Sequence, residues 1–210
     1  MPTAAGLGRM GQAALPIGAA KEQEIGFGIA ATVAGRYRLV DDAAVNDYVA
    51  LVGAAVAEQS MRTGEVEFRF GVLDTEDVNA FAAPGGYIFI TRGALALMES
   101  ESELAGVLAH EVAHVDEKHV LDDIRRSDVM GRATDEAQLQ GPVLDAISSA
   151  GASLLFNGLS REDEMTADSL GLLYATAVGY RPDGMLRFLE HLDEAVQQQG
   201  EGLREWVATH

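Results

Sequence analysis

A predicted helix that carries two histidines four residues apart constrains this chain more than any other feature. Apolar residues recur at helical spacing over residues 100–120, and Ser100 with Glu103 predicts a capping box at the start of this helix. Residues 110–114 inside it read H-E-V-A-H. Side chains four residues apart lie one above the other on a helix, so His110 and His114 point to the same place. The chain is therefore expected to fold around a helix whose two imidazoles can share one ligand.

Two imidazoles on one helix face are typical ligands of a zinc ion. Glu111 lies beside them, and a carboxylate next to zinc-activated water can act as a general base in peptide-bond hydrolysis. By the product of the residue frequencies, the pentamer would arise by chance in about one such chain in a hundred. The alternative, an exposed helical turn that happens to hold these residues, stays open until a third ligand is found.

His119 and Glu164 compete for the position of third ligand. The four residues before His119 include no glycine, so the helix is expected to continue and to carry His119 about 180° away from His110. We interpret His119 as a poor ligand that is either a polar residue near a helix end, favoured by the helix dipole, or a residue in a structural hydrogen bond. Glu164 shares a helix face with Asp168, so Glu164 can reach a metal while Asp168 accepts a hydrogen bond from a liganding imidazole. An ordinary acidic first turn is the alternative for Glu164.

The rest of the chain predicts further helices and a small sheet. Residues 65–72 alternate as a half-buried strand does, and a second strand is predicted over 86–91 after a Pro-Gly-Gly turn. Their order suggests an antiparallel or mixed sheet. A polar stretch over 121–142 is expected to be a mobile connection that contains a broken helix. Other helices are predicted over 21–34, 41–59, 143–155, 160–178 and 182–198.

Charge and composition exclude several classes of function. The chain has 15 Lys and Arg against 33 Asp and Glu, a formal charge of −18 that would repel nucleic acid and anionic lipid. It has no cysteine, which excludes disulfides, thiolate zinc sites and cysteine nucleophiles. No apolar run approaches the roughly 18 to 20 residues that span a bilayer, so no transmembrane segment is expected.

Three segments in a fixed order resemble the HtpX, BepA and CAAX-prenyl-protease group of zinc metallopeptidases, within the gluzincins. The segments are N-A-F-A-A-P-G-G-Y-I-F-I-T-R-G at 79–93, the histidine motif with its following residues at 110–119, and S-R with E-x-x-A-D at 160–168. The resemblance covers roughly residues 23–184. It implies that His110, His114 and Glu164 bind one Zn²⁺ per chain and that Glu111 is the catalytic base.

The resemblance also implies a substrate-binding strand and a residue on the oxyanion side. The strand would form the rim of the cleft and pair with an extended peptide, although an ordinary core strand is the alternative. Its residues are Gly86, Tyr87, Ile88, Phe89, Ile90 and Thr91. The end of the chain matches the start of a T-H-P segment, which suggests His210 as the oxyanion-side catalytic residue, with a disordered terminal residue as the alternative. The Pro and Arg that would follow are absent, which is consistent with truncation.

We therefore expect an α+β, zincin-like metallopeptidase domain, mostly helical, with a small mixed or antiparallel sheet beside the active-site helix. The domain is expected over 21–210, after a flexible lead over 1–20. The predicted function is zinc-dependent endopeptidase activity on peptide or unfolded protein, in protein quality control in the cell envelope. We expect an exported, periplasmic protein whose signal has been removed, with a cytoplasmic location as the alternative. The competing functions are a non-catalytic, chaperone-like peptide-binding module and a latent enzyme whose cleft is covered by 121–142.

Overall fold

Eight helices and three short strands make up the part of the chain that the computed structural model describes, residues 17–127 and 138–199. The helices, in chain order, are α1 (Ala19–Tyr37), α2 (Ala43–Ala57), α3 (Arg92–Leu97), α4 (Glu101–Asp116), α5 (His119–Arg126), α6 (Pro142–Asn157), α7 (Arg161–Val178) and α8 (Gly184–Gln199). The strands are β1 (Arg69–Leu73), β2 (Ala80–Ala83) and β3 (Tyr87–Thr91), with a 3₁₀ turn over Pro84–Gly86 between β2 and β3.

The sheet is mixed, and β3 is its central strand. β1 pairs with β3 in parallel, while β2 pairs with the other edge of β3 in antiparallel orientation. The tight Pro84–Gly86 turn brings β2 and β3 together, and Gly85 adopts a positive φ of 74° there. The antiparallel or mixed sheet expected from the sequence is confirmed as mixed.

Both faces of the sheet are buried. Alternate side chains of β2 and β3, such as Ala82 and Ile88, face a core formed with α2, α4, α7 and α8. The intervening side chains, such as Phe81 and Phe89, face a second core formed with α1, α5 and α6. The sheet thus lies between two helical layers, and α4 packs directly against it. None of the helices within the described ranges has the length and apolar character that crossing a membrane requires.

The α+β architecture, mostly helical with a small sheet, is confirmed. The predictions over 21–34, 41–59, 143–155, 160–178 and 182–198 correspond to α1, α2, α6, α7 and α8. The sequence did not reveal β2, and α4 ends at Asp116 instead of continuing to Val120. Residues 1–16, most of the predicted lead, lie outside the described residues. Of the connection predicted over 121–142, residues 121–126 belong to α5 and residues 128–137 lie outside the described residues.

Candidate metal centre

Helix α4 carries the histidine motif through the interior of the protein. Ser100 is its N-cap, and the Ser100 hydroxyl donates a hydrogen bond to the Glu103 carboxylate, which also accepts one from the backbone of Glu99. Every residue of α4 from Glu103 to Asp116 is buried. His110 and His114 are therefore held by packing on all sides, which a metal ligand needs in order to keep one rotamer.

Helix α7 supplies the third acidic group and lies close against α4. The Ser160 and Asp163 side chains form a capping box at the start of α7, and Glu164 directly follows Asp163. Gly171 lies two helical turns after Glu164 on the same face. A Cβ atom at Gly171 would lie 2.8 Å from the backbone nitrogen of His110, so only glycine allows the two helices to approach this closely.

The three predicted ligand residues converge. His110 Nε2 and His114 Nε2 are 2.9 Å apart, and the Glu164 carboxylate oxygens lie 3.4 Å from the former and 3.8 Å from the latter. One ligand atom from each residue lies within 4.8 Å of the others, and all three residues are buried. The buried Glu164 Oε2 makes no hydrogen bond. A buried carboxylate oxygen without a donor beside two imidazole nitrogens fits a divalent cation such as zinc.

The surroundings of His110 favour a cation at this place. Asp168 Oδ1 lies 3.0 Å from His110 Nδ1, the ring nitrogen opposite the cluster. Burial alone would lower the pKa of His110, but the neighbouring carboxylates of Asp168, Glu164 and Glu111 together raise it to about 10. The acidic groups thus create a negative potential around the imidazole. Asp168, expected from the sequence to orient a liganding imidazole, thus lies beside His110.

Glu111 lies at a cleft of about 310 Å³ beside the cluster. Burial raises the pKa of Glu111 to about 7, although His110 opposes this shift and the Glu164 carboxylate adds to it. A carboxylate with a pKa near neutrality suits a general base that must accept and then release a proton. The cleft is lined by Ala80, Phe81, Ala82, Glu111, His114, Leu154, Leu155, Gly158, Leu159 and Glu164.

The expected course of the chain after His114 is wrong. The helix breaks at Lys118, which adopts a left-handed backbone conformation with φ of 59°, and α5 begins at His119. As a result His119 is buried, and its Nδ1 lies 2.8 Å from His114 Nδ1 instead of on the far side of the helix. Within the described residues, the metal-compatible group includes His110, His114 and Glu164 but not His119.

The strand predicted to bind substrate is also placed differently. Residues 87–91 form β3, whose two edges are already paired with β1 and β2, so this strand has no edge for a peptide. The predicted substrate residues Tyr87, Ile88, Phe89, Ile90 and Thr91 are therefore core-strand residues, and Gly86 belongs to the preceding turn. β2 is the edge strand on the side of the cleft, and Ala80, Phe81 and Ala82 line the cleft. His210 lies outside the described residues, so its role stays a prediction.

Comparison with known proteins identifies relatives of the chain. The model of peptidase family M48 matches residues 43–210. The β-barrel assembly-enhancing protease of Escherichia coli strain K12 is 27% identical over 193 residues, which cover 82% of this chain and 37% of that protein. A putative β-barrel assembly-enhancing protease of Vibrio cholerae is 28% identical over 166 residues, covering 73% of this chain and 34% of that protein. The mitochondrial metalloendopeptidase OMA1 of Schizosaccharomyces pombe is 30% identical over 150 residues, covering 70% of this chain and 43% of that protein.

The matched region is only a part of each relative. It spans between about a third and somewhat over two fifths of their lengths. The family match over 43–210 includes the histidine motif and Glu164.

Proposed function

The chain belongs to peptidase family M48, and we propose that it is a zinc-dependent endopeptidase with Glu111 as the general base. The observation that carries this proposal is the convergence of three buried side chains on one point, with a fourth, Glu111, at the adjoining cleft. His110, His114 and Glu164 would hold the metal. A His, His, Glu set with room for a further ligand is typical of catalytic zinc sites.

The protein side chains have separate tasks in this proposal. A bound zinc ion would supply Lewis acidity, which activates water for attack on a peptide carbonyl. Glu111 accepts the proton of the attacking water and passes it to the leaving nitrogen, a task suited to its pKa of about 7. Asp168 Oδ1 lies 3.0 Å from His110 Nδ1, where its negative charge would hold the proton on that nitrogen and so keep the Nε2 of the ring available to the metal.

The edge of β2 is the place we propose for an extended substrate. In the described part of the chain, β2 pairs with β3 on one edge only. The backbone of Thr91 donates a hydrogen bond to Asn79, so the hydrogen-bonded pairs of the ladder fall at Phe81 and Ala83. The backbone groups of Ala82 therefore point away from β3, toward the edge that is left for a peptide. β-Augmentation would hold the substrate by its backbone and leave preference to side-chain pockets.

The substrates we propose are peptides or unfolded proteins in the cell envelope. The bacterial relatives are named for β-barrel assembly, and barrels of that kind lie in bacterial outer membranes. We therefore propose a role in envelope protein quality control for a protein exported to the periplasm. The formal charge of −18 argues against nucleic acid as a partner.

A latent peptidase is a second candidate function, favoured by the residues that line the cleft. Leu154 and Leu155 at the end of α6, and Leu159 after it, line the cleft together with β2. In a latent enzyme, the end of α6 and the residues that follow it would have to move before an extended peptide could enter. The other alternative, a non-catalytic module, would bind peptide in the cleft without cleaving it, and Glu111 would then have no catalytic task.

Two matched variants test the proposed function. Purified protein is expected to contain about one zinc per chain by mass spectrometry, and Glu164→Ala is expected to lose or strongly weaken that binding. Glu111→Gln is expected to keep zinc and fold but to lose roughly 10²- to 10⁴-fold in peptide cleavage, since the general base is gone. An unchanged cleavage rate in Glu111→Gln would contradict the mechanism. Absence of zinc from the reconstituted parent would contradict the metal site itself.

A further inference from the structure

A third imidazole contacts the metal cluster from behind. His119 is buried, its Nδ1 lies 2.8 Å from His114 Nδ1, and the two rings are nearly perpendicular with centroids 5.0 Å apart. The nitrogen of His114 that faces His119 is the one that points away from His110 and Glu164. His119 therefore contacts the proposed ligand His114 at its outer nitrogen, as Asp168 does for His110.

Distant parts of the chain hold His119 in this position. The Asp116 carboxylate accepts hydrogen bonds from the Ser60 hydroxyl, the Met61 backbone nitrogen and the Tyr174 hydroxyl, all at the point where α4 ends. The next turn places Lys118 in the left-handed region, which few non-glycine residues adopt. The helix thus breaks within three residues of Asp116, and His119 lies against His114.

The contact between the two rings determines which nitrogen of each ring carries a proton. A neutral imidazole has one N–H and one acceptor nitrogen. If His114 Nε2 is to bind a metal, the proton must be on Nδ1, and Nδ1–H can then donate only to an unprotonated His119 Nδ1. His119 in turn carries its proton on Nε2, which lies 3.5 Å from Asp163 Oδ1. A single arrangement of protons therefore satisfies all three side chains.

We infer that His119 is a positioning residue of the metal site, which accepts a hydrogen bond from His114 Nδ1 and is itself held by Asp163. This inference rests on the proposed function, because it assigns His119 a task only if His114 binds the metal. The two ligand histidines would then be oriented differently, one by a half-exposed carboxylate and the other by a buried imidazole with a carboxylate behind it. Groups that orient a metal ligand in this way commonly change metal affinity 10- to 100-fold when they are removed.

Two substitutions at His119 separate a hydrogen-bond acceptor from a space-filling residue. His119→Asn keeps an acceptor oxygen where Nδ1 lies, whereas His119→Leu fills the space with apolar atoms and offers no acceptor. Zinc affinity is measured by competition with a chromophoric chelator, and the thermal unfolding of each metal-free protein is measured beside it. We expect His119→Leu to bind zinc about 10- to 100-fold more weakly than the parent and His119→Asn to bind close to the parent value.

The contribution of Asp163 has a matched control in the same capping box. Asp163 Oδ2 accepts hydrogen bonds from the backbone and hydroxyl of Ser160, while Oδ1 faces His119. Ser160→Ala and Asp163→Ala both disrupt the box, but only the latter removes the contact with His119. We expect both variants to unfold at a lower temperature and only Asp163→Ala to weaken zinc binding. An equal effect of the two on zinc affinity would remove Asp163 from the inference.

The outcomes at His119 distinguish this inference from the proposed function. Parent-like zinc affinity in His119→Leu, or equal weakening in His119→Asn and His119→Leu, would overturn the positioning role while the parent still binds zinc. A parent that binds no zinc in the same titration would overturn the proposed function and this inference together.

Discussion

Replacing Gly171 with alanine tests whether the close approach of α4 and α7 holds the site together. The added Cβ would lie 2.8 Å from His110 N and 2.9 Å from His110 Cα, and both are backbone atoms that cannot rotate away. Ordinary contacts begin at 3.4 Å, so the helices must separate by roughly 0.6 Å. Glu164 lies on the same face of α7 and would move with it. Metal sites tolerate about 0.2 Å in ligand distance, so this displacement is large for the site.

The expected loss of stability follows from the same contact. Overpacking of this kind costs about 1–3 kcal/mol, which lowers the melting temperature of a domain of this size by roughly 2–12 °C. Zinc binding, measured by chelator competition, is expected to weaken together with stability. Gly35→Ala is the matched control, because Gly35 is exposed in α1 with nothing within 4 Å of its Cβ position. That change is expected to stabilise the protein by about 0.5–1 kcal/mol.

If the geometry is correct, the melting temperature therefore falls in Gly171→Ala and rises in Gly35→Ala. Unchanged melting temperature and unchanged zinc affinity in Gly171→Ala would refute the argument that this glycine sets the spacing of the two helices. Destabilisation by Gly171→Ala without any loss of zinc affinity would refute the narrower claim that Glu164 moves with the helix.

Two further substitutions test the substrate edge and the packing around the end of α4. Ala82→Pro removes a backbone N–H that faces the edge beside the cleft, so it is expected to raise KM for peptide substrates. Because Ala82 is buried, the proline ring is also expected to lower the melting temperature, so KM is measured at a temperature where the variant is folded. An unchanged KM would contradict pairing of substrate with β2. Glu22→Ala removes the buried carboxylate that accepts two hydrogen bonds from Arg62, at 2.7 and 2.9 Å, and is expected to cost about 3–5 kcal/mol in urea unfolding. Glu65→Ala removes the exposed carboxylate that pairs with the same guanidinium, which keeps its bonds to Glu22, and should cost less than about 1 kcal/mol. Equal costs for the two variants would contradict this ranking.

The part of the site that the sequence predicted depends on local periodicity. His110 and His114 are four residues apart on α4, as Glu164 and Asp168 are on α7, and helical geometry alone places each pair on one face. The distance between the two pairs does not follow from that geometry. It depends on how closely α7 approaches α4, and glycine at position 171 is the trace that this approach leaves in the sequence of α7.

The elements that sequence reasoning missed depend on long-range contacts. β2 consists of three alanines and a phenylalanine, and because both faces of the sheet are buried the strand shows no alternation of polar and apolar residues. The order of the strands, with β3 in the centre, likewise follows from packing and not from chain order. Assigning β3 as the substrate strand was therefore wrong, although the assignment of a strand to that segment was correct.

The break between α4 and α5 links these long-range contacts to the chemistry of the site. A helix that continued past Asp116 would carry His119 away, and nothing in residues 115–118 opposes helix formation as strongly as a glycine or proline would. What stops the helix comes from elsewhere: Tyr174 on α7 binds Asp116, and the Arg62 guanidinium donates to the carbonyl of Val115. α7 thus supplies Glu164 in its first turn, and it also holds the end of α4 through Tyr174, which lies near the C-terminal end of α7. The same helix pair that brings the ligands together therefore also directs the chain so that His119 reaches the back of His114.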